Sequence, residues 1–224
     1  MPTARRKIRR ADEARLVVMT CGLPASGKTT TAARLHSGVG GALIRSCDVY
    51  EKLGISLPGW VHRTAGFTKD VEAYERVRDS AYCRMLDLLA DQLTAGSRIV
   101  VLDAVHGEVE KRRAVFDVCA AHDAEPLLVW CRCDDRVETE RRLNSRLGRE
   151  AEPEREASDS SVFDHLARLW NDPTGERCGS KLVPVLTYDT CLERLSWPQP
   201  ASRDVTDLIE RALLYRRGVH VLGR

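Results

Sequence analysis

A chain of 224 residues with 43% hydrophobic and 30% charged side chains is long enough to bury one substantial core and too apolar to remain disordered. Its 35 Lys and Arg nearly cancel 33 Asp and Glu, leaving +2, which excludes a global field as the means of reaching nucleic acid or an anionic membrane. No run approaches the roughly 18 apolar residues of a membrane span, and eight scattered cysteines read as reduced thiols of a cytoplasmic protein rather than a disulfide framework.

Residues 1–14 crowd Arg5, Arg6, Lys7, Arg9 and Arg10 ahead of any apolar run and are expected to form a flexible basic arm. A secretory signal is excluded, because the apolar stretch after the arm is short and runs straight into a glycine-lysine motif. One domain is expected over 15–215, with a tail at 216–224.

Leu16 to Cys21 is a short continuous apolar run, the pattern of a strand buried on both faces. A glycine-rich turn follows, then a helix from Lys28 to Ser37 stopped by Gly38, Gly40 and Gly41. Ala42 to Ser46 is a second strand. Val49 to Thr68 has no period and carries Gly54, Pro58, Gly59 and Gly66, so a long functional loop is expected. Val71, Tyr74, Val77, Ala81, Met85, Leu88, Leu89 and Leu93 describe one face of a long helix ending near Gly96.

Ile99 to Asp103 is a third strand, apolar until its last residue. A helix over Glu108 to Ala121 and a fourth strand over Pro126 to Cys133 come next; Cys131 and Cys133 point to one face of that strand, with no second pair to complete a zinc site. Arg136 to Leu147 is an arginine-rich helix, 148–158 a charged exposed stretch, and Val162 to Trp170 a short helix. Leu182 to Thr187 is a fifth strand, placed at a sheet edge because Pro184 cannot donate to a ladder. Val205 to Tyr215 closes the chain as a helix. The alternation implies right-handed βαβ units around a parallel sheet.

Gly22, Leu23, Pro24, Ala25, Ser26, Gly27, Lys28 and Thr29 fit the Walker A pattern G-x-x-x-x-G-K-[ST], between a strand and a helix as that pattern requires. Backbone N–H groups and a helix N-terminus offer fixed donors to phosphate. Lys28 is expected to reach the terminal phosphates and the Thr29 hydroxyl to hold magnesium.

Parallel sheets gather ligands at the carboxyl ends of their strands, where Asp48 and Asp103 lie. Asp48 is assigned as general base for an attacking hydroxyl and Asp103 as a magnesium ligand. Arg141, Arg142 and Arg146 lie on the helix after the fourth strand, with Arg149 just beyond. The four-residue spacing of Arg142 and Arg146 sets both on one face, where they would clamp a transferring phosphoryl group.

GLPASGKTT at Gly22 to Thr30, RSCD ending in Asp48, VVLDA ending in Ala104 and ERRLNSRLGR around Arg142 and Arg146 together resemble the AAA-type small kinases of the P-loop superfamily. That group contains polynucleotide kinases, seryl-tRNA kinases, zeta-toxin-like and antibiotic phosphotransferases. The resemblance implies an α/β P-loop kinase fold with a five-stranded parallel sheet in order 2-3-1-4-5. It also implies Asp48 as base, Thr30 in the nucleotide loop, and an arginine lid over about 135–172.

In the polynucleotide kinases an arginine follows the base shortly; here the chain reads Val49, Tyr50, Glu51, Lys52. The expected activity is therefore transfer of the γ-phosphate of ATP, with magnesium, to a hydroxyl of a small molecule, by a monomer or homodimer. A nucleic-acid end is the rival acceptor, and an acceptor-free switch or assembly ATPase the alternative of another class. Trp60, His62 and Arg63, with Phe67, are the expected acceptor contacts.

Overall fold

The computed structural model describes residues 15–53, 71–147 and 160–214. In chain order the elements are β1 (Arg15–Cys21), α1 (Lys28–Val39), β2 (Ala42–Arg45), α2 (Ser46–Lys52), α3 (Val71–Thr94), β3 (Ile99–Asp103), α4 (Val109–Ala121) and β4 (Ala124–Arg132). Then come α5 (Arg136–Leu147), α6 (Ser160–Arg168), β5 (Arg177–Cys178), β6 (Lys181–Leu182), β7 (Val185–Asp189), β8 (Arg194–Gln199) and α7 (Arg203–Leu214).

The main sheet has the order β2-β3-β1-β4-β7-β8. Its first five strands are parallel, in the order expected, and β8 is added antiparallel to β7. Strand alternation sends Leu16 and Val18 of β1 to one face and Val17, Met19 and Cys21 to the other. On the first face Ala32 and Leu35 of α1 and Ile209 and Leu213 of α7 cover the sheet. On the second, Met85, Leu89 and Leu93 of α3 and Val115, Phe116 and Cys119 of α4 do so. Both faces of β1 are thus buried, which is why its sequence is apolar throughout.

Three expectations are corrected. Pro184 does not mark a sheet edge: the ladder of β7 starts one residue later, at Val185, and the Pro184 carbonyl accepts from Leu128 N at 3.0 Å. The edge belongs to β8, which carries Pro198 where its register against β7 shifts. Among the described residues the sheet accordingly has six strands, not five. The stretch expected as loop from Val49 begins inside α2, whose single buried residue, Val49, is too little to create a period.

The basic arm, 54–70, 148–159 and the chain after 214 lie outside the described residues. Among the described residues no helix is long and apolar enough to cross a membrane.

Candidate active site

β1 ends at the carboxyl edge of the sheet and turns at Gly22 into the Walker loop. Gly22 has φ 149°, its N–H donates to Val105 O at 3.0 Å, and a Cβ there would lie 2.4 Å from the Cys131 carbonyl oxygen, so no side chain fits. Ala25 and Gly27 take the left-handed region at φ 62° and 89°, the alternation that turns successive peptide groups into an anion nest. Gly27 caps α1 with no side-chain cap, and the first turn of α1 holds no acidic residue, so the helix N-terminus is unopposed by carboxylates. Among the described residues the buried Ser26 hydroxyl has no hydrogen-bond partner. Lys28 Nζ donates to Leu23 O at 2.8 Å. Fixed donors, a cation and an orphaned buried hydroxyl fit a polyphosphate.

Beside the loop, Asp103 ends β3 and is buried. Thr20 Oγ1 lies 3.3 Å from its Oδ1, and the Thr29 hydroxyl hydrogen-bonds to it. Burial pushes the Asp103 carboxyl above its ordinary range, while Lys28, the Thr29 bond, Arg45 and the Thr20 bond pull it down. An oxygen-lined cluster of carboxylate and hydroxyl next to a phosphate nest suits a hard divalent cation, with phosphate oxygens completing its shell. Among the described residues no group of three His, Cys, Asp or Glu could hold a metal unaided.

Asp48 sits in the first turn of α2, half-exposed, and accepts from the Cys47 thiol at 3.4 Å. Arg45, the last residue of β2, joins the two carboxylates. Its Nη1 is 3.6 Å from Asp48 Oδ1 and its Nε 3.7 Å from Asp103 Oδ2. The structure therefore brings Asp48, Asp103, Lys28 and Thr29 to one edge of the sheet. Arg45 was missed by sequence reasoning, although a charge ending an apolar strand was its signal.

Arg142 is placed behind the loop. Its Nε meets Glu138 at 2.7 Å, and Nη1 donates to Ala25 O at 3.1 Å and to Thr190 Oγ1 at 2.9 Å. Arg141 pairs with Glu138 at the surface, and these two arginines hold the Glu138 carboxyl down to about 2. A cavity of 420 Å³ lies alongside, lined by Ala25, Gly27, Thr30, Arg34, Arg142, Tyr188 and Thr190. A larger cavity of 640 Å³ sits at the opposite end of the sheet, by Leu16, Ala124 and Pro126, far from the nest. The Arg146 side chain, Arg149, Trp60, His62, Arg63 and Phe67 lie outside the described residues.

The segment after β3 is fixed by a buried network. His106, at φ 42°, is held by Nδ1 to Thr20 O at 2.8 Å and by its N–H donating to Tyr82 Oη at 2.9 Å. Burial lowers its pKa to about 4, so the ring is neutral. Arg112, wholly buried, donates Nη1 to His106 O at 2.8 Å and pairs its other nitrogens with Glu176. Across the loop, Tyr74 of α3 and Leu166 of α6 pack on Leu23 and Val105, and His165 of α6 meets Glu75 of α3 at 2.6 Å.

Strand, nest and helix in this arrangement define a P-loop protein. The chain belongs to the AAA domain family, whose model matches residues 17–169, and the resemblance carried by its motifs to P-loop AAA-type small kinases holds. Among curated proteins none matches the sequence.

Solved structures of the same fold include a sugar kinase from Janibacter sp. HTCC2649, with TM-score 0.54 and 15% identity over 89% of this chain and 92% of that one. A gluconokinase from Sinorhizobium meliloti 1021 has TM-score 0.50 and 16% identity, covering 91% of each. Kti12 from Chaetomium thermophilum, solved with ADP-AlF3, has TM-score 0.51 and 20% identity over 87% of this chain and 96% of that one.

Proposed function

We propose that this chain is an ATP-dependent phosphotransferase that moves the γ-phosphoryl group onto a hydroxyl of a small-molecule acceptor. The observation that carries the reading is the pairing of Asp48 and Asp103 through Arg45 beside Lys28 and Thr29. The second carboxylate, half-exposed and held on the same guanidinium, supplies a base for the incoming hydroxyl.

In this reading the nest and Lys28 hold the β- and γ-phosphates, and the cavity beside α1 takes the nucleoside end. Thr29 and Asp103 hold magnesium, which when bound neutralises charge on the phosphates. The acceptor oxygen attacks the γ-phosphorus in line, the bond from that phosphorus to the β–γ bridging oxygen breaks, ADP leaves, and the hydroxyl proton passes to the Asp48 carboxylate. Arg45, 3.6 Å away, keeps that carboxylate in place. The gluconokinase and sugar kinase of the same fold, and the ADP-AlF3 bound by the Kti12 structure, support nucleotide use and a small acceptor.

The test is incubation with γ-labelled ATP and magnesium against panels of sugars, nucleosides, aminoglycosides and oligonucleotides. Label moving onto a small molecule supports the reading; label released only as inorganic phosphate against every panel overturns it in favour of a hydrolase. An oligonucleotide product, with binding that weakens steeply between roughly 50 and 200 mM salt, replaces the small acceptor by a nucleic-acid end.

A further inference from the structure

A guanidinium has five N–H donors, and each of those on Arg142 has an acceptor. Nε reaches Glu138 at 2.7 Å, Nη1 reaches Ala25 O at 3.1 Å and Thr190 Oγ1 at 2.9 Å, and Nη2 reaches Thr190 O at 3.4 Å and Cys191 Sγ at 3.6 Å. A phosphate oxygen could engage this group only by displacing one of them. Arg142 is arranged as a brace, not as a free clamp.

Thr190 is its counterpart. It follows β7, and its N–H donates to Arg132 O at 2.9 Å. Its hydroxyl lies 2.9 Å from Ser26 O and 3.1 Å from Arg132 O, two acceptors for its one proton, while accepting from Arg142. Its side chain stands where a Cβ on Gly27 would be, 2.9 Å from Cγ2. The turn that carries it is tied by Asp189 Oδ1, which accepts from Cys191 N and Leu192 N at 2.9 and 3.0 Å. Three consecutive nest residues, Ala25, Ser26 and Gly27, are thereby gripped from one side.

The grip has a directional consequence. In a planar trans peptide the C=O and the following N–H point opposite ways. Drawing Ala25 O toward Arg142 turns Ser26 N–H inward, where it closes on Leu23 O at 3.2 Å. Drawing Ser26 O toward Thr190 turns Gly27 N–H to the concave side.

We propose that Arg142 and Thr190 are a positioning pair that presets the anion nest, so that Arg142 acts on the phosphates through the loop and not by contact. The proposal rests on the nucleotide-site reading given above.

The test is calorimetric titration of ADP with magnesium, and of tripolyphosphate with magnesium, into the wild type, Thr190→Val, Thr190→Ser, Arg142→Met and the Thr190→Val/Arg142→Met double variant, with thermal melts alongside. Thr190→Val and Arg142→Met are each expected to weaken ADP about tenfold, the double variant to be no weaker than the worse single, and Thr190→Ser to stay near wild type. Tripolyphosphate, which can occupy the nest without entering the cavity that Arg142 and Thr190 also line, should weaken in parallel with ADP; a loss confined to ADP would place the effect in that cavity and overturn the proposal, and a merely structural defect would lower only the melting temperature. Losses that multiply in the double variant, or unchanged ADP affinity in Arg142→Met, overturn the proposal. Should Thr190→Val fail to fold, the Arg142→Met result decides alone. A wild type that binds no ADP sinks the nucleotide-site reading itself, whereas a wild type that binds ADP with both single variants equal to it sinks only the pair.

Discussion

Replacing Glu176 by Gln removes one charge from a pair almost entirely out of water. Arg112 is 0% exposed at its side chain and Glu176 12%, and among the described residues the arginine's other acceptor is His106 O at 2.8 Å. An amide of the same shape leaves the guanidinium charge uncompensated, which in buried pairs costs about 3–5 kcal/mol. Against the 5–15 kcal/mol typical of a domain this is a large fraction. Removing both charges with Arg112→Met and Glu176→Leu should cost less, because no buried ion is then left unpaired.

The effect should reach the active site, since His106 is anchored by Arg112 and its neighbour Val105 accepts the Gly22 N–H. Equilibrium urea denaturation measures the stability term and ADP titration the functional one. A Glu176→Gln variant within about 0.5 kcal/mol of wild type, smaller than any buried-ion penalty, would refute the reasoning, as would a double variant less stable than the single.

Gly22→Ala should lose about 2–4 kcal/mol, from the strained φ and from the clash with the Cys131 carbonyl; denaturation checks this, and a fully stable variant would contradict the loop geometry. His106 is neutral in the folded state, its pKa lowered to about 4 from 6.5 by burial. Between those values the unfolded chain binds a proton that the folded one does not, so stability falls as pH drops from about 6.5 to 4, by about 3 kcal/mol in full. The raised pKa of Asp103 acts in the opposite sense, so the readout is the difference between wild type and His106→Asn across that window. Asp48→Asn should keep ATP affinity and slow transfer about a hundredfold or more; normal turnover in that variant would remove Asp48 as base.

The nest was legible because its chemistry is local: eight consecutive residues carry the glycines, the lysine and the hydroxyl, and the flanking strand and helix announce themselves by period. Asp48 and Asp103 were legible for a related reason, since Asp103 ends a short apolar strand and Asp48 follows one within three residues. What lay beyond reach depends on which strands become neighbours. Arg45 bridges two carboxylates only because β2 pairs with β3 at Arg45 and Asp103, and Thr190 reaches Ser26 across 164 residues of chain. The four-residue spacing of Arg142 and Arg146 implies a shared helix face, but spacing carries no information on whether Arg142 meets phosphate or the back of a loop. β8 escaped notice because its alternation is half-buried at best and broken by Pro198, and Pro184 misled because a proline just before a strand costs the ladder nothing.

On the proposed reading, Lys28 and the loop around it grip the terminal phosphates of a nucleotide. Calorimetric titration of ADP with magnesium into wild type and Lys28→Ala measures it directly. The wild type should bind, and the variant, still folded by thermal melt, should bind at least about tenfold more weakly, a loss of about 1.4 kcal/mol or more. Equal affinity in two folded proteins would contradict it.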